Sequence, residues 1–193
     1  MAMPVKQKKV ASDGVIGMLF VLATEAMFFA GLISAYVVNR AGAMAWPPEG
    51  QPRLPIEITG VNTAIFIASA FTIFMFGKKL RAGEGSGRYS TTLLKSSIIL
   101  GVTFLIVQGS EWIRLIGFGL TTHSSIYGAF FYTLIGLHAA HVLVGLILLV
   151  YLLASMRKTL SFEVLKNRVT VFSMYWFFVV ALWPRLYVLV YLM

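Results

Sequence analysis

Residues 125–145 read SIYGAFFYTLIGLHAAHVLVG, an apolar run with two histidines three positions apart inside it. At a helical rise of 1.5 Å per residue the run spans about 30 Å, the thickness of a bilayer's hydrocarbon core. His138 and His141 are expected on one face of that helix, near the depth at which an ionisable side chain is most costly. Such a residue needs a partner, a polar cavity or a function there. The stretch therefore predicts a membrane-embedded helical protein, and the remainder of the chain has to supply the other helices.

Four further apolar runs are long enough to cross a membrane, which takes about 17–25 residues each. The expected spans are 14–38, 58–76, 97–118, 126–153 and 169–193, giving an all-α membrane protein, a bundle of five transmembrane helices in one domain over 1–193. Bulk composition agrees: 59% of residues are hydrophobic, 12% are charged, and the mean hydropathy is +0.84. Pro47, Pro48, Pro52 and Pro55 predict a stiff first connector, and Gly83, Gly85 and Gly87 a flexible second one. There is no internal repeat, so the inverted-repeat plan of many transporters lacks its sequence sign.

Charge orients the bundle. Lys6, Lys8 and Lys9 precede the first span, Lys78, Lys79, Arg81, Arg88 and Lys95 flank the second connector, and Arg157, Lys158, Lys166 and Arg168 flank the fourth. If spans alternate, these share one side, leaving Arg40, Arg53, Arg114 and Arg185 on the other. The positive-inside rule then predicts a cytoplasmic N-terminus and, with five spans, a C-terminus on the outer side. The net charge of +9 is thus loop charge, and no basic face remains for nucleic acid. Ala43-Met44-Ala45 resembles a signal-peptide cleavage site, but the preceding apolar run is far longer than a signal core. The absence of cysteine excludes disulfides, thiolate metal sites and cysteine-held iron–sulfur clusters on this chain alone.

Few residues offer chemistry. Glu25 lies about 16 Å into the first span, where a carboxyl must be neutral, paired or facing a polar cavity. Two readings stand side by side: a proton-exchanging carboxyl, or a hydrogen-bonding acid that glues helices beside Ala26, Ala30 and Ser34. Glu111 has Arg114 three residues on, a spacing that permits a local ion pair. Alternatively Glu111 joins His138 or His141 across adjacent antiparallel spans, in one buried polar network. Those three could also be metal ligands of an intramembrane enzyme, although two histidines at this spacing need further ligands that the chain hardly offers. Trp46, Trp112, Tyr127, Trp176, Trp183, Tyr187 and Tyr191 are expected mostly in an interfacial aromatic belt.

Taken in order, these segments resemble subunit III of the haem–copper respiratory oxidases. The residues that carry the likeness are Glu25 within ATEAMFFAGLISAY, the AWPPEG loop with Trp46, and LPIEITGVNTAIFIAS with Asn62 and Thr63. Gln108-Gly109-Ser110-Glu111 and the two-histidine stretch complete it. The resemblance implies a non-catalytic subunit with no cofactor or metal of its own. It would dock on the oxygen-reducing subunit I, support its proton uptake with Glu25 as the proton-linked candidate, and bind phospholipid. Haem and copper would sit in the partners, subunits I and II. An accessory subunit of nitric oxide reductase is the alternative that the likeness leaves open.

Two departures stand out. Mitochondrial-type members have seven helices, and the likeness covers the last five; it implies a short five-helix bacterial form in the bacterial cytoplasmic (inner) membrane, with a periplasmic C-terminus. The final span reads MYWFFVVALWPRLYV, with Phe177 and Val180 where the family usually carries histidine and aspartate. Arg185, after Pro184, joins Trp46 and Arg114 as a candidate subunit contact.

Overall fold

A computed structural model describes residues 12–84, 88–156 and 161–193. Lys6, Lys8, Lys9, Gly85, Gly87, Arg157 and Lys158, used above for orientation and loop character, lie outside the described residues. The described chain forms five long helices: α1 (Asp13–Ala41), α2 (Ile56–Lys79), α3 (Arg88–Gly117), α4 (Ile126–Ser155) and α5 (Phe162–Tyr187). All five are long and apolar enough to cross a membrane. The helices continue past the apolar runs, most visibly at the starts of α3 and α5, because the bonding ladder does not stop at the hydrocarbon boundary. Single π-helical turns prolong α2 over Leu80–Glu84 and α5 over Val188–Leu192.

Helix ends follow the local sequence. Ser125 caps α4 by accepting from the Gly128 amide at 3.1 Å. At the end of α3, Gly119 adopts φ +89°, a conformation costly for any residue with a Cβ. The Leu120 amide then returns to the Leu115 carbonyl at 3.0 Å. The α3–α4 turn presses on α4 so closely that a Cβ at Gly128 would clash with the Thr121 carbonyl. In the proline-rich connector after α1, Trp46 tucks its ring against Tyr36 and Tyr127 and donates from Nε1 to the Tyr36 hydroxyl at 3.1 Å.

Two α5 tryptophans organise the core, and here the aromatic-belt expectation fails. Trp176 and Trp183 are fully buried. Trp176 fits a slot between Gly101 of α3 and Gly145 of α4, where an added Cβ would lie 2.7 Å from its ring on either side. Its Nε1 donates to Ser69 Oγ of α2 at 3.2 Å. Trp183 Nε1 donates to Thr63 Oγ1 at 2.8 Å, and its ring packs edge-on against Phe104, which stacks on Phe66 at 4.1 Å. A tryptophan can leave the interface when small residues admit its ring and a hydroxyl satisfies its N–H. Tyr127 and Tyr191 are buried as well.

α1 stands apart from this core. Only Phe29 and Tyr36 on it are buried. Its polar ties include Ser12 Oγ to Asn167 Oδ1 at one end, Glu25 to His141 near its middle, and, toward the other end, the Tyr36 hydroxyl donating to the Leu189 carbonyl at 3.4 Å and Arg40 to the Met193 carbonyl. The second tie carries the chemistry.

Candidate functional site: a carboxyl–imidazole pair at mid-membrane depth

Glu25 and His141 lie near the midpoints of α1 and α4. Glu25 Oε2 is 2.9 Å from His141 Nε2. The other ring nitrogen, Nδ1, is 2.7 Å from the Leu137 carbonyl, one turn back on the same helix. A carbonyl oxygen only accepts, so Nδ1 carries a hydrogen. Nε2 is then the lone-pair nitrogen of a neutral ring or the second N–H of an imidazolium. The 2.9 Å contact requires one proton between the two groups in either case. The pair is a carboxylic acid with an imidazole, or a carboxylate with an imidazolium.

Both arrangements have zero net charge and need no change in heavy-atom position. A proton can therefore arrive at one group and leave from the other without net charge building up in the membrane interior. Phe29 steadies the imidazole edge-on at 5.1 Å, and the Tyr175 hydroxyl of α5 donates to the His141 carbonyl at 3.4 Å. The pair remains partly open on the flank of the bundle, with side-chain exposures of 28% for Glu25 and 17% for His141. Glu25 Oε1 makes no hydrogen bond among the described residues.

His138 is not part of this arrangement. Three residues along a helix turn the side chain by about 300°, so His138 and His141 differ by about 60° in direction. That is enough to send one inward and the other toward α1. The His138 ring is fully buried, stacked on Trp183 at 5.0 Å with Phe66 and Phe104 edge-on, and neither nitrogen has a hydrogen-bond partner among the described residues.

Glu111 occupies a third setting, where α2, α3 and α5 meet. Gln108 Nε2 donates to Glu111 Oε2 at 3.3 Å and to the Tyr191 hydroxyl at 3.0 Å. Thr59 Oγ1 is 2.9 Å from Glu111 Oε2 and 2.8 Å from the Pro55 carbonyl, two contacts for a single hydroxyl proton. Glu111 Oε1, Gln108 Oε1 and Asn62 Oδ1 are buried with no partner among the described residues. The structure thus does not join Glu111 with either histidine, and Arg114 is exposed and forms no ion pair with it. Glu111 and Arg114 instead line a small cavity with Arg53, Pro55, Leu115 and Phe118.

The remaining expectations fall on the surface or the core. Trp46 is half-buried under Tyr36, whereas Arg185 is exposed and donates to the Ala181 carbonyl of its own helix at 2.9 Å. Val180 is buried, and Phe177 lines a groove between α2 and α5. No group of three His, Asp or Glu side chains converges on a metal position among the described residues. Sequence reasoning missed Thr59, Tyr191 and the Leu137 carbonyl. The signal for Thr59 was a polar stripe on α2, Thr59, Asn62 and Thr63, at helical spacing.

Replacing Thr59 with valine removes a contact of Glu111 while keeping the side-chain shape. It is expected to lower stability by about 1–2 kcal/mol, in the range of polar contacts between membrane helices. Unfolding in detergent, with Gln108→Leu and the double variant, measures the effect. A cycle without coupling would separate the two contacts.

Comparison with known proteins gives one consistent result. The family model described as Cytochrome c oxidase subunit III matches residues 5–193. Cytochrome c oxidase subunit 3 of Synechocystis is 33% identical over 178 residues, covering 92% of this chain and 74% of the relative. The Corynebacterium diphtheriae protein of the same name is 34% identical, covering 91% of this chain and 86% of its own length. That of Sus scrofa is 30% identical, covering 91% and 67%.

Proposed function

Since the chain belongs to the cytochrome c oxidase subunit III family, we propose that it is the non-catalytic subunit III of a proton-pumping terminal oxidase. In this reading it docks on the oxygen-reducing subunit I, steadies it during turnover and supports its proton uptake. Subunits I and II supply the haem and copper. The chain has no cysteine and no convergent ligand set among its described residues, so its own side chains do not fit such a centre. Phospholipid fills part of its membrane-facing surface.

The observation that carries the proton-linked part is the Glu25–His141 pair. A pair that shares one proton, at mid-membrane depth and partly open on the flank, is costly to keep against lipid alone. Its retention is accounted for if that proton exchanges with a neighbouring uptake route. The basic ends of α2 and α5, with Lys78, Lys79, Arg81 and Lys166, support a cytoplasmic placement of that side in a bacterial inner membrane. The relatives' names favour the oxygen-reducing assembly over a nitric oxide reductase.

The test is purification of the tagged chain from its native membrane in gentle detergent, with a reduced-minus-oxidised spectrum and identification of the companion polypeptides. Haem bands, together with a large multi-helix partner and a copper-binding subunit, are expected. A colourless chain without partners, under conditions that keep oxidases intact, overturns the reading.

A further inference from the structure

Glu111 is buried and takes no part in the Glu25–His141 pair. Beside it, the Thr59 hydroxyl holds one proton between two acceptors, the Pro55 carbonyl at 2.8 Å and Glu111 Oε2 at 2.9 Å. Turned toward Glu111, it suits the ionised carboxylate, whose Oε2 then accepts from Thr59 and from Gln108 Nε2. Turned toward Pro55, it suits the protonated acid, which donates to Thr59 Oγ1 across the same 2.9 Å. Both charge states are thus hydrogen-bonded without any movement of heavy atoms. Only the hydroxyl hydrogen turns.

A route for the proton lies alongside. The cavity that Glu111 shares with Arg53, Arg114, Leu115 and Phe118 has a volume of about 170 Å³. A water molecule takes about 30 Å³ in the liquid, so several fit. Arg53, Arg114 and Phe118 are exposed, and the cavity therefore opens at the α1–α2 and α3–α4 connectors. Arg40 and Arg185 donate to main-chain carbonyls, whereas Arg53 and Arg114 make no hydrogen bond or ion pair among the described residues. The ionised state of Glu111 thus has two guanidiniums on its own cavity. A resident anion fits those arginines less well, because the ionised carboxylate in the same wall repels it. The other titratable groups nearby are Tyr191, which accepts from Gln108 Nε2 at 3.0 Å, and Tyr127 of α4 in the adjoining cavity.

We infer that Glu111 is a second proton-exchanging carboxyl, which takes up and releases its proton through the Arg53–Arg114 cavity, on the side away from Lys78 and Lys166. The charge distribution makes that the outer side. The step is a proton transfer between the carboxyl and water, with Thr59 turning from Pro55 to Glu111 as the proton leaves. It goes beyond the subunit reading above, whose proton-linked part concerns Glu25, and the two sites share no residue.

Infrared difference spectra of the purified native complex, taken between about pH 5 and pH 9, test the exchange. A carboxylic C=O band that appears on acidification is expected to persist in Glu25→Gln and to vanish in Glu111→Gln. Glu111→Asp keeps a carboxyl and moves the band, and Thr59→Val, with one hydrogen bond fewer, raises its frequency. Identical difference spectra for Glu111→Gln and the parent protein overturn the inference, since Glu111 then holds one charge state throughout. The route is tested separately. The chain has no cysteine, so labelling of Glu111→Cys is read directly from the mass of this subunit. A membrane-impermeant thiol reagent added to intact cells is expected to label it, and Leu115→Phe, which narrows the cavity, slows labelling several-fold. Labelling only after the cells are opened, or none in an assembled complex, overturns the outer route. Haem is measured on the same samples, and its absence counts against the oxidase reading, not against the Glu111 band.

Discussion

Gly145→Leu is expected to prevent the five helices from closing into one bundle, and Gly145→Ala to weaken it by about 1–3 kcal/mol. The Trp176 ring touches the position of the missing Cβ at 2.7 Å, and Gly101 presses on its opposite edge at the same distance. The ring has no direction in which to yield. Displacing it would also break its hydrogen bond to Ser69 and disturb Phe66, whose ring is 5.6 Å away. Water contributes no hydrophobic force between helices inside a membrane, so close van der Waals fit and such hydrogen bonds hold them together. The complementary change, Trp176→Ala, leaves a cavity and is expected to cost about 3–5 kcal/mol. Thermal unfolding in detergent checks both, with Gly17→Ala as control because nothing lies within 4 Å of its added Cβ. Equal stability of the Gly145→Ala and Gly17→Ala chains would show that the slot is loose.

Glu25→Gln is expected to leave assembly and haem content unchanged while shortening the working lifetime of the oxidase several-fold. The reason lies in the proton count. His141 Nδ1 keeps its hydrogen for the Leu137 carbonyl, so a glutamine amide donates to Nε2 and preserves the contact between α1 and α4. What disappears is the group able to give that proton up. Glu25→Leu removes the contact as well and is expected to loosen α1 in addition. Oxygen-consumption time courses and proton-uptake measurements on the purified complex separate the two variants. Unchanged uptake and lifetime in Glu25→Gln would reduce Glu25 to a helix tie.

How far the chain could be read in advance depended on whether a property was local. The five spans were legible because hydropathy is summed along a continuous segment and needs no neighbour. Glu25 and His141 were each recognisable as residues with a burden to explain. Their pairing was not, because it depends on how α1 and α4 are rotated about their own axes. The same blindness made His138 and His141 look like one site, although a rotation of about 60° separates an aromatic core from a helix flank. Trp176 and Trp183 were misread for a related reason. Their burial is decided by Gly101, Gly145, Ser69 and Thr63 on other helices, none of them near in sequence. The resemblance to oxidase subunit III needed no such geometry, since it rested on ordered motifs, and the family comparison agrees with it.

The loose attachment of α1 has a consequence for biogenesis. Of the five helices, the one made first is the one least embedded in the finished bundle. Trp176, which α5 brings in last of the five, connects to α2, α3 and α4, so the inner four helices have to wait for α5 before they lock. α1 meanwhile stays tethered in the bilayer, and it can settle only when His141 and Asn167 have taken their places. Order of birth and order of docking are thus reversed for this helix, with the Glu25–His141 contact acting as the registration mark that sets its height against the completed core.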